Sequence, residues 1–221
     1  SVSLKSKLAR ITPIFKKGSR FDKGNYRPIS VLSNFSKIIE KAMYHRLKRY
    51  LEHFKILCPL LFGFREKSST MYALIVSNTE SICESIDNNE FGCGIFIDLK
   101  KGLDTVNHAI LLTKLNHYGI RGNVHEWFKS YLSHREQFVI ANGHASISLQ
   151  LNCGVQKDPF EGPLYFIIGN DLPNTSSFLT FYLLVDDTIA NLYLSSKILN
   201  HLERILNREL KSVAEWLKSN R

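Results

Sequence analysis

The stretch FYLLVDDTIANLYL, Phe181–Leu194, sets two adjacent carboxylates, Asp186 and Asp187, between two apolar runs rich in β-forming residues. Successive side chains of a strand point to opposite faces, so both acids cannot leave a core unless the chain reverses between the runs. The stretch therefore predicts a hairpin with the carboxylates at its tip. A buried, unpaired carboxylate is costly, so the tip calls for a cation, hydrogen-bond donors or water.

A third acid sits in a comparable place. GCGIFIDL, Gly92–Leu99, is short, apolar and rich in β-formers, and reads as a buried strand with Asp98 near its C-terminal end. If that strand and the hairpin are neighbours in one antiparallel sheet, Asp98, Asp186 and Asp187 converge at one edge. Their mutual repulsion then demands a compensating charge. Mg²⁺ suits hard oxygen ligands that leave room for waters and substrate phosphates. Two such ions about 4 Å apart stabilise the attacking and leaving oxygens of a phosphoryl transfer. Turn aspartates and helix caps produce the same D…DD pattern, so spacing alone leaves the two readings open.

The rest of the chain alternates helix and strand signals. GSRFDKGNYRP, Gly18–Pro28, has the content of a loop. SNFSKIIEKAMYHRLKRYLEHF, Ser33–Phe54, carries apolar residues at helical spacing at Phe35, Ile38, Ile39, Ala42, Met43, Leu47 and Leu51. Met71–Asn89 reads as a helix closed by Asn88-Asn89, Leu103–Ile120 as turn and helix, and Asn123–His134 as a further helix. Arg135–Leu151 alternates around Asn142-Gly143, the pair favoured in a tight hairpin. Phe160–Leu172 reads as a helix entered through Pro163, and Lys197–Asn220 as an amphipathic one.

With 221 residues and 44% apolar content the chain can bury a core as one large domain or two small ones. No run reaches the roughly 18–20 apolar residues of a membrane span, and the start, SVSLKSKLAR, lacks the apolar segment of a signal peptide. An intracellular protein, nuclear or cytoplasmic and without a membrane partner, is expected. Cys58, Cys83, Cys93 and Cys153 lie far apart and signal neither zinc nor disulfides. Residues 1–68 hold 16 Lys+Arg against four Asp+Glu, while the remainder holds 13 against 16, so the net +9 is concentrated in the N-terminal third. A polyanion partner and a solvated basic surface both fit that asymmetry. The first residue is Ser and the last helix runs to the terminus, which reads as a piece of a longer protein.

Six blocks decide between the open readings: NYRPISVLSNFSKIIEKAMYHRL (Asn25–Leu47), LFGFREKSST (Leu61–Thr70), GIFIDLKKGLDTVNH (Gly94–His108), LLTKLNHYGIRG (Leu111–Gly122), WFKSYLSHREQFV (Trp127–Val139) and LLVDDT (Leu183–Thr188). Their order and approximate spacing resemble the reverse transcriptase domain of non-LTR, jockey-like retrotransposons, from about Ile11 to Trp216. The resemblance implies an α+β, right-hand polymerase fold in which an antiparallel palm sheet packs on helices and the thumb is missing. Residues 1–91 would form a basic fingers-like lobe, 92–195 the palm with the metal-site motifs, and 196–221 a C-terminal palm helix. It also implies Asp98, Asp186 and Asp187 as catalytic ligands of Mg²⁺ or Mn²⁺. RNA template, DNA primer and deoxynucleoside triphosphates are the implied partners. Lys16, Lys17, Arg27, Leu103, Gly154 and Lys157 become candidates for nucleotide or template contact. Arg suits phosphate because it grips two oxygens at once, and Pro28 restricts the backbone of Arg27. A solvated loop is the alternative for Lys16 and Lys17.

Other residues stay closer to structure. Asp104 reads as a cap or turn residue, and Trp127, Phe128 and Tyr131 as core, with base stacking as the alternative use. His108, His117, His125 and His134 form no metal-ligand pattern. Where the family has GVPQGSxLGP, this chain has GVQKDPFEGP, Gly154–Pro163. Gln156, Lys157, Asp158 and Pro159 replace Pro, Gln, Gly and Ser, and Glu161 replaces an apolar residue. An acid beside a triphosphate repels it, and side chains obstruct a close backbone approach. Gly102, Leu103, Leu61 and Leu184 also depart from the pattern, Leu103 where an aromatic excludes ribonucleotides. The expectation is a reverse transcriptase domain that adds deoxynucleotides to a primer 3′-end by two-metal phosphoryl transfer, weak or inactive in this copy. The alternative is a non-catalytic nucleic-acid-binding remnant; a product with no selected role is the third reading.

Overall fold

The computed structural model describes residues 7–59, 61, 79–98, 105–141, 143–154, 164, 167–183 and 188–220. Helices and strands are mixed along the chain, and the fold class is α+β. Two compact units interleave in sequence: unit 1 is Ser1–Tyr50 with Val106–Glu161, and unit 2 is Leu51–Thr105 with Gly162–Arg221.

Unit 1 is built on β1 (Leu8–Phe15), whose alternation buries Ala9 and Ile11 and leaves Leu8, Arg10 and Thr12 exposed. It pairs antiparallel with β2 (Tyr26–Val31) and parallel with β4 (Arg135–Ala141), in register Leu8 to Glu136. Beyond Ala141 the chain returns antiparallel as β5 (His144–Ala145), the expected hairpin, with Gly143 at φ 79°; Asn142 lies outside the described residues. β6 (Leu149–Leu151) returns along the start of β4. The helices of this unit are α1 (Asn34–His53), which runs three residues into unit 2, α3 (His108–His117) and α4 (Gly122–Leu132). Leu47, Leu111, Leu115, Phe128 and Leu132 are buried.

α1 buries Leu47 and Leu51 as expected, but near its start Phe35 and Ile38 are 65% and 67% exposed while Ser36 and Glu40 are buried. Glu40 lies inside because the Tyr131 hydroxyl donates to its Oε1 at 2.9 Å, a compensation supplied from α4.

Unit 2 centres on a three-stranded antiparallel sheet in the order β3 (Phe91–Asp98), β8 (Thr188–Ser196), β7 (Thr180–Leu183). Its core gathers Leu61, Leu172, Phe181, Leu183, Leu192, Leu202 and Val213. The C-terminal helix α5 (Leu199–Ser219) packs on β8, placing Ile205, Leu206, Leu210, Trp216 and Leu217 against that core. α2 (Ser81–Asp87) lies on the sheet through hydroxyl pairs, Ser81 to Tyr182 at 2.8 Å and Ser85 to Tyr193 at 2.7 Å. β3 is a one-sided strand rather than a wholly buried one, since Cys93, Ile95 and Ile97 pack on the core while Phe96 is 62% exposed. Of the helix expected in Phe160–Leu172, Leu164 and Ile167–Gly169 are helical and Pro163 lies outside the described residues.

All four cysteines are free thiols. Among the described residues no helix is long and apolar enough to cross a membrane.

Candidate active site

The end of β3 is where the sequence placed its first carboxylate. Along β3 the pairing with β8 runs regularly from Phe91 opposite Ser196 to Ile97 opposite Ala190, then skips a residue so that Asp98 stands opposite Thr188. That irregularity is a β-bulge at the strand end, a device that re-aims the chain next to functional sites. The Asp98 backbone therefore lies alongside the residue that directly follows Asp187. On the other side of β8, Leu183 of β7 pairs with Ala190. Asp186 and Asp187 belong to the 184–187 connection, which lies outside the described residues, as does the Asp98 side chain. Among the described residues no group of three or more His, Cys, Asp and Glu is gathered to hold a metal ion.

Lys16, Lys17 and Arg27 share the β1–β2 hairpin of unit 1 and are all exposed. Arg27 pairs with Ile14, and the Lys16 N–H donates to the Asn25 carbonyl at 2.9 Å. The connection is folded by its own polar groups. Asp22 accepts from the Gly24 N–H at 2.8 Å, the Asn25 amide donates to the Ser19 carbonyl at 3.0 Å, and the Tyr26 hydroxyl donates to the Arg20 carbonyl at 2.8 Å. Arg20 stacks over Phe15 at 5.2 Å. The tip is thus an ordered cationic projection rather than a featureless loop, and the sequence reading passed over Arg20 and Lys23 in it.

Gly154 is held by backbone. Its N–H donates to the Val106 carbonyl at 2.8 Å, Cys153 bridges Asn107, and its own carbonyl bonds the His108 ring Nε2 at 2.8 Å. With φ at +84°, it adopts a conformation that glycine accepts without strain. The segment that follows Leu103 in the chain and the segment that opens the 154–163 loop are therefore tied together. His108, which showed no role in the sequence, supplies one of these ties; its partner is 46 residues away and no local pattern points to it. Asn107 caps α3, its side chain accepting from the Ala109 and Ile110 N–H groups. Asp104, Leu103, Lys157 and the rest of 155–163 lie outside the described residues.

Two cations of unit 1 are buried. Lys7 and Arg135 are both buried, and burial, then the Arg135 charge, pulls the Lys7 ammonium below its ordinary range. Arg135 stacks over Tyr131, 4.5 Å from its centroid, and Tyr131 in turn lies parallel to Trp127 at 5.1 Å. Phe128 and Tyr131 are core, as expected, while Trp127 is half-buried. In unit 2 the carboxylate of Glu209 is held below its ordinary range by a hydrogen bond from Ser176 and by Arg208, 2.7 Å away.

Comparison with known proteins adds a separate line of observation. A reverse transcriptase (RNA-dependent DNA polymerase) family model matches residues 14–221. The "Probable RNA-directed DNA polymerase from transposon BS" of Drosophila melanogaster is 32% identical over 96% of this chain, which spans 24% of that relative. The RNA-directed DNA polymerase from the mobile element jockey of the same fly is 30% identical over 76% of the chain, and its "Probable RNA-directed DNA polymerase from transposon X-element" is 30% identical over 76%; the chain spans 18% of each. The family match over nearly the whole chain, together with these relatives, shows that the chain belongs to the reverse transcriptase family, of the kind found in non-LTR retrotransposons.

Proposed function

We propose that this chain is the fingers and palm of a reverse transcriptase, with unit 1 as fingers and unit 2 as palm, and that it extends a primer 3′-end by in-line attack on a deoxynucleoside triphosphate. The observation that carries the reading is the register of β3 on β8, which sets the Asp98 backbone beside the residue following Asp187. Reverse transcriptases act on template and primer with deoxynucleoside triphosphates and generally use divalent metal ions. The donor set fits such ions, because Asp98, Asp186 and Asp187 offer hard carboxylate oxygens and leave positions for phosphate. Bound Mg²⁺ or Mn²⁺ would supply charge stabilisation to the attacking and leaving oxygens.

The chain's own residues do the rest. The three carboxylates fix where the triphosphate turns its reacting phosphorus, and the attack gains from that positioning. Lys16, Lys17 and Arg27, exposed on an ordered hairpin, grip template phosphates. Gly154, Leu103 and Lys157 are the chain's candidates for contact with the nucleotide. Between Gln156 and Pro159 side chains occupy positions that the family keeps for a close backbone approach, and Glu161 adds a repelling charge. Catalysis by this copy is therefore weak. That same disrupted loop favours a second reading, in which the chain binds nucleic acid through its basic hairpin without catalysis.

Primer extension on an RNA template with Mg²⁺ tests the proposal. Incorporation should be weak, should fall to background in Asp98→Asn and in Asp186→Asn, and should rise when residues 156–159 are changed to Pro-Gln-Gly-Ser. Incorporation that survives Asp98→Asn overturns the assignment. Salt-sensitive primer-template binding with no incorporation, even in the repaired loop, leaves the second reading in possession.

A further inference from the structure

A cavity of about 450 Å³ lies wholly within unit 1, between α1, the α3–α4 turn and the start of α4. Met43, Leu47, Trp127 and Phe128 give it apolar walls, and among the described residues its lining holds two cations, Arg46 and Arg121, and no acid. The turn is locked in place. The Tyr50 hydroxyl donates to the Tyr118 carbonyl at 3.2 Å, and Gly119, at φ +86°, leaves space for that hydroxyl where a Cβ would stand 2.6 Å from it. The site is therefore preformed, and its size suits one nucleoside-sized group.

Two further features say what such a group is. First, Lys37, Lys41 and Arg49 are exposed on α1 at spacings of four and eight residues, so the helix presents a row of cations, with Arg46 lining the cavity. Second, planar groups are already stacked up to the cavity wall. The Arg135 guanidinium lies over Tyr131, and Tyr131 lies within 10° of parallel to Trp127, which lines the cavity. A cationic track beside an aromatic platform is the arrangement by which single strands are held, phosphates on the track and a base on the platform.

We propose that this cavity takes one unpaired nucleotide of a single-stranded nucleic acid, its base against Trp127, its phosphates on Arg46 and Arg121, and its strand along the α1 row. The cavity is lined by unit 1 residues alone and requires neither metal nor triphosphate, so it stands whether or not the chain polymerises. An acidic helical peptide would meet the same cations, but the stacked column favours a planar ring.

The test uses the full chain carrying Trp216→Phe, which leaves Trp127 as the single tryptophan, in the presence of EDTA. A 12-residue oligouridine RNA should quench Trp127 emission on binding, and an abasic strand of equal length and charge should bind at least about fivefold more weakly, without the quench. Val124→Phe, which adds bulk at the half-exposed rim, should remove the difference between the two strands while melting as the parent does. Should that variant misfold, Arg46→Gln with Arg121→Gln, both surface changes, should abolish the quench. Equal binding of the two strands, binding without quench, or a quench that survives the arginine substitutions overturns the proposal. Preferential quenching by an acidic amphipathic peptide does so too. Failure of primer extension leaves all these readouts unchanged.

Discussion

Gly92→Ala introduces a methyl group where the β3–β8 pair has left no space. The new Cβ would overlap the Tyr193 hydroxyl and stand 3.0 Å from its Cζ, against an ordinary carbon contact of about 3.5–4.0 Å. The Tyr193 ring lies across β3, because Tyr193 pairs with Gly94 and Ser195 with Gly92. It cannot yield by turning a terminal bond, since the hydroxyl sits at the end of a rigid ring and is engaged with Ser85 Oγ at 2.7 Å. Overpacking costs about 1–3 kcal/mol and the displaced hydrogen bond about 1 kcal/mol, so the variant should lose about 2–4 kcal/mol. Tyr193→Phe alone should lose about 1 kcal/mol. The double variant removes the overlapping oxygen and should be more stable than Gly92→Ala, a coupling of about 1–3 kcal/mol between the two sites. Urea unfolding of the four proteins, followed by Trp216 fluorescence in a Trp127→Phe background, reports on unit 2, where Trp216 packs against the core. Simple addition of the two single costs would refute the packing argument. Because β3 ends at Asp98, any activity should fall with Gly92→Ala and return in the double variant.

Two titrations bear on the remaining electrostatics. Glu209 has a folded pKa held below its ordinary 4.5 by Ser176 first and Arg208 second, so its contribution is present at neutral pH and lost as pH falls through the folded value. Ser176→Ala should therefore destabilise at pH 7, with a difference from the parent that shrinks under acid; a gap that is flat from pH 7 to pH 2 contradicts this. Lys7 runs the other way. Its folded pKa lies below 10.5, so the buried ammonium opposes folding at neutral pH and that opposition fades as pH rises from the folded value towards 10.5. Lys7→Met should raise the melting temperature at pH 7 and the advantage should narrow in alkali, and an advantage that widens there would refute the assignment.

What the sequence made legible was local. The Asn142-Gly143 reversal, the helix over Ser33–Phe54, and the strands flanking Asp98 and the paired aspartates all follow from period and turn chemistry within a few residues. The pairing that organises unit 1 is different in kind: β1 meets β4 in parallel across 128 positions, Leu8 to Glu136, and nothing within either strand records its partner. The same limit explains α1. Its apolar residues predicted a face from Phe35 to Leu51, and Leu47 and Leu51 are buried on it, but the first turns bury Ser36 and Glu40 in place of Phe35 and Ile38, with Tyr131 donating to the acid from 91 residues away. At the candidate site, pattern and resemblance named Asp98, yet the bulge that sets it opposite Thr188 is a property of the strand pair. The ties of His108 and Val106 to Gly154 are long-range in the same sense.

The central claim is that Asp98 and the Asp186-Asp187 pair hold shared divalent ions, and Mn²⁺ binding followed by electron paramagnetic resonance tests it most directly. The parent chain, titrated with a deoxynucleoside triphosphate and primer-template present, should take up protein-bound Mn²⁺ beyond that held by the triphosphate. Asp98→Asn and Asp186→Asn should each weaken that uptake at least about tenfold, a loss of about 1.4 kcal/mol, with the melting temperature unchanged. Full Mn²⁺ binding in Asp98→Asn, alongside loss in Asp186→Asn, would show that the acid at the end of β3 belongs to no common site and would contradict the account.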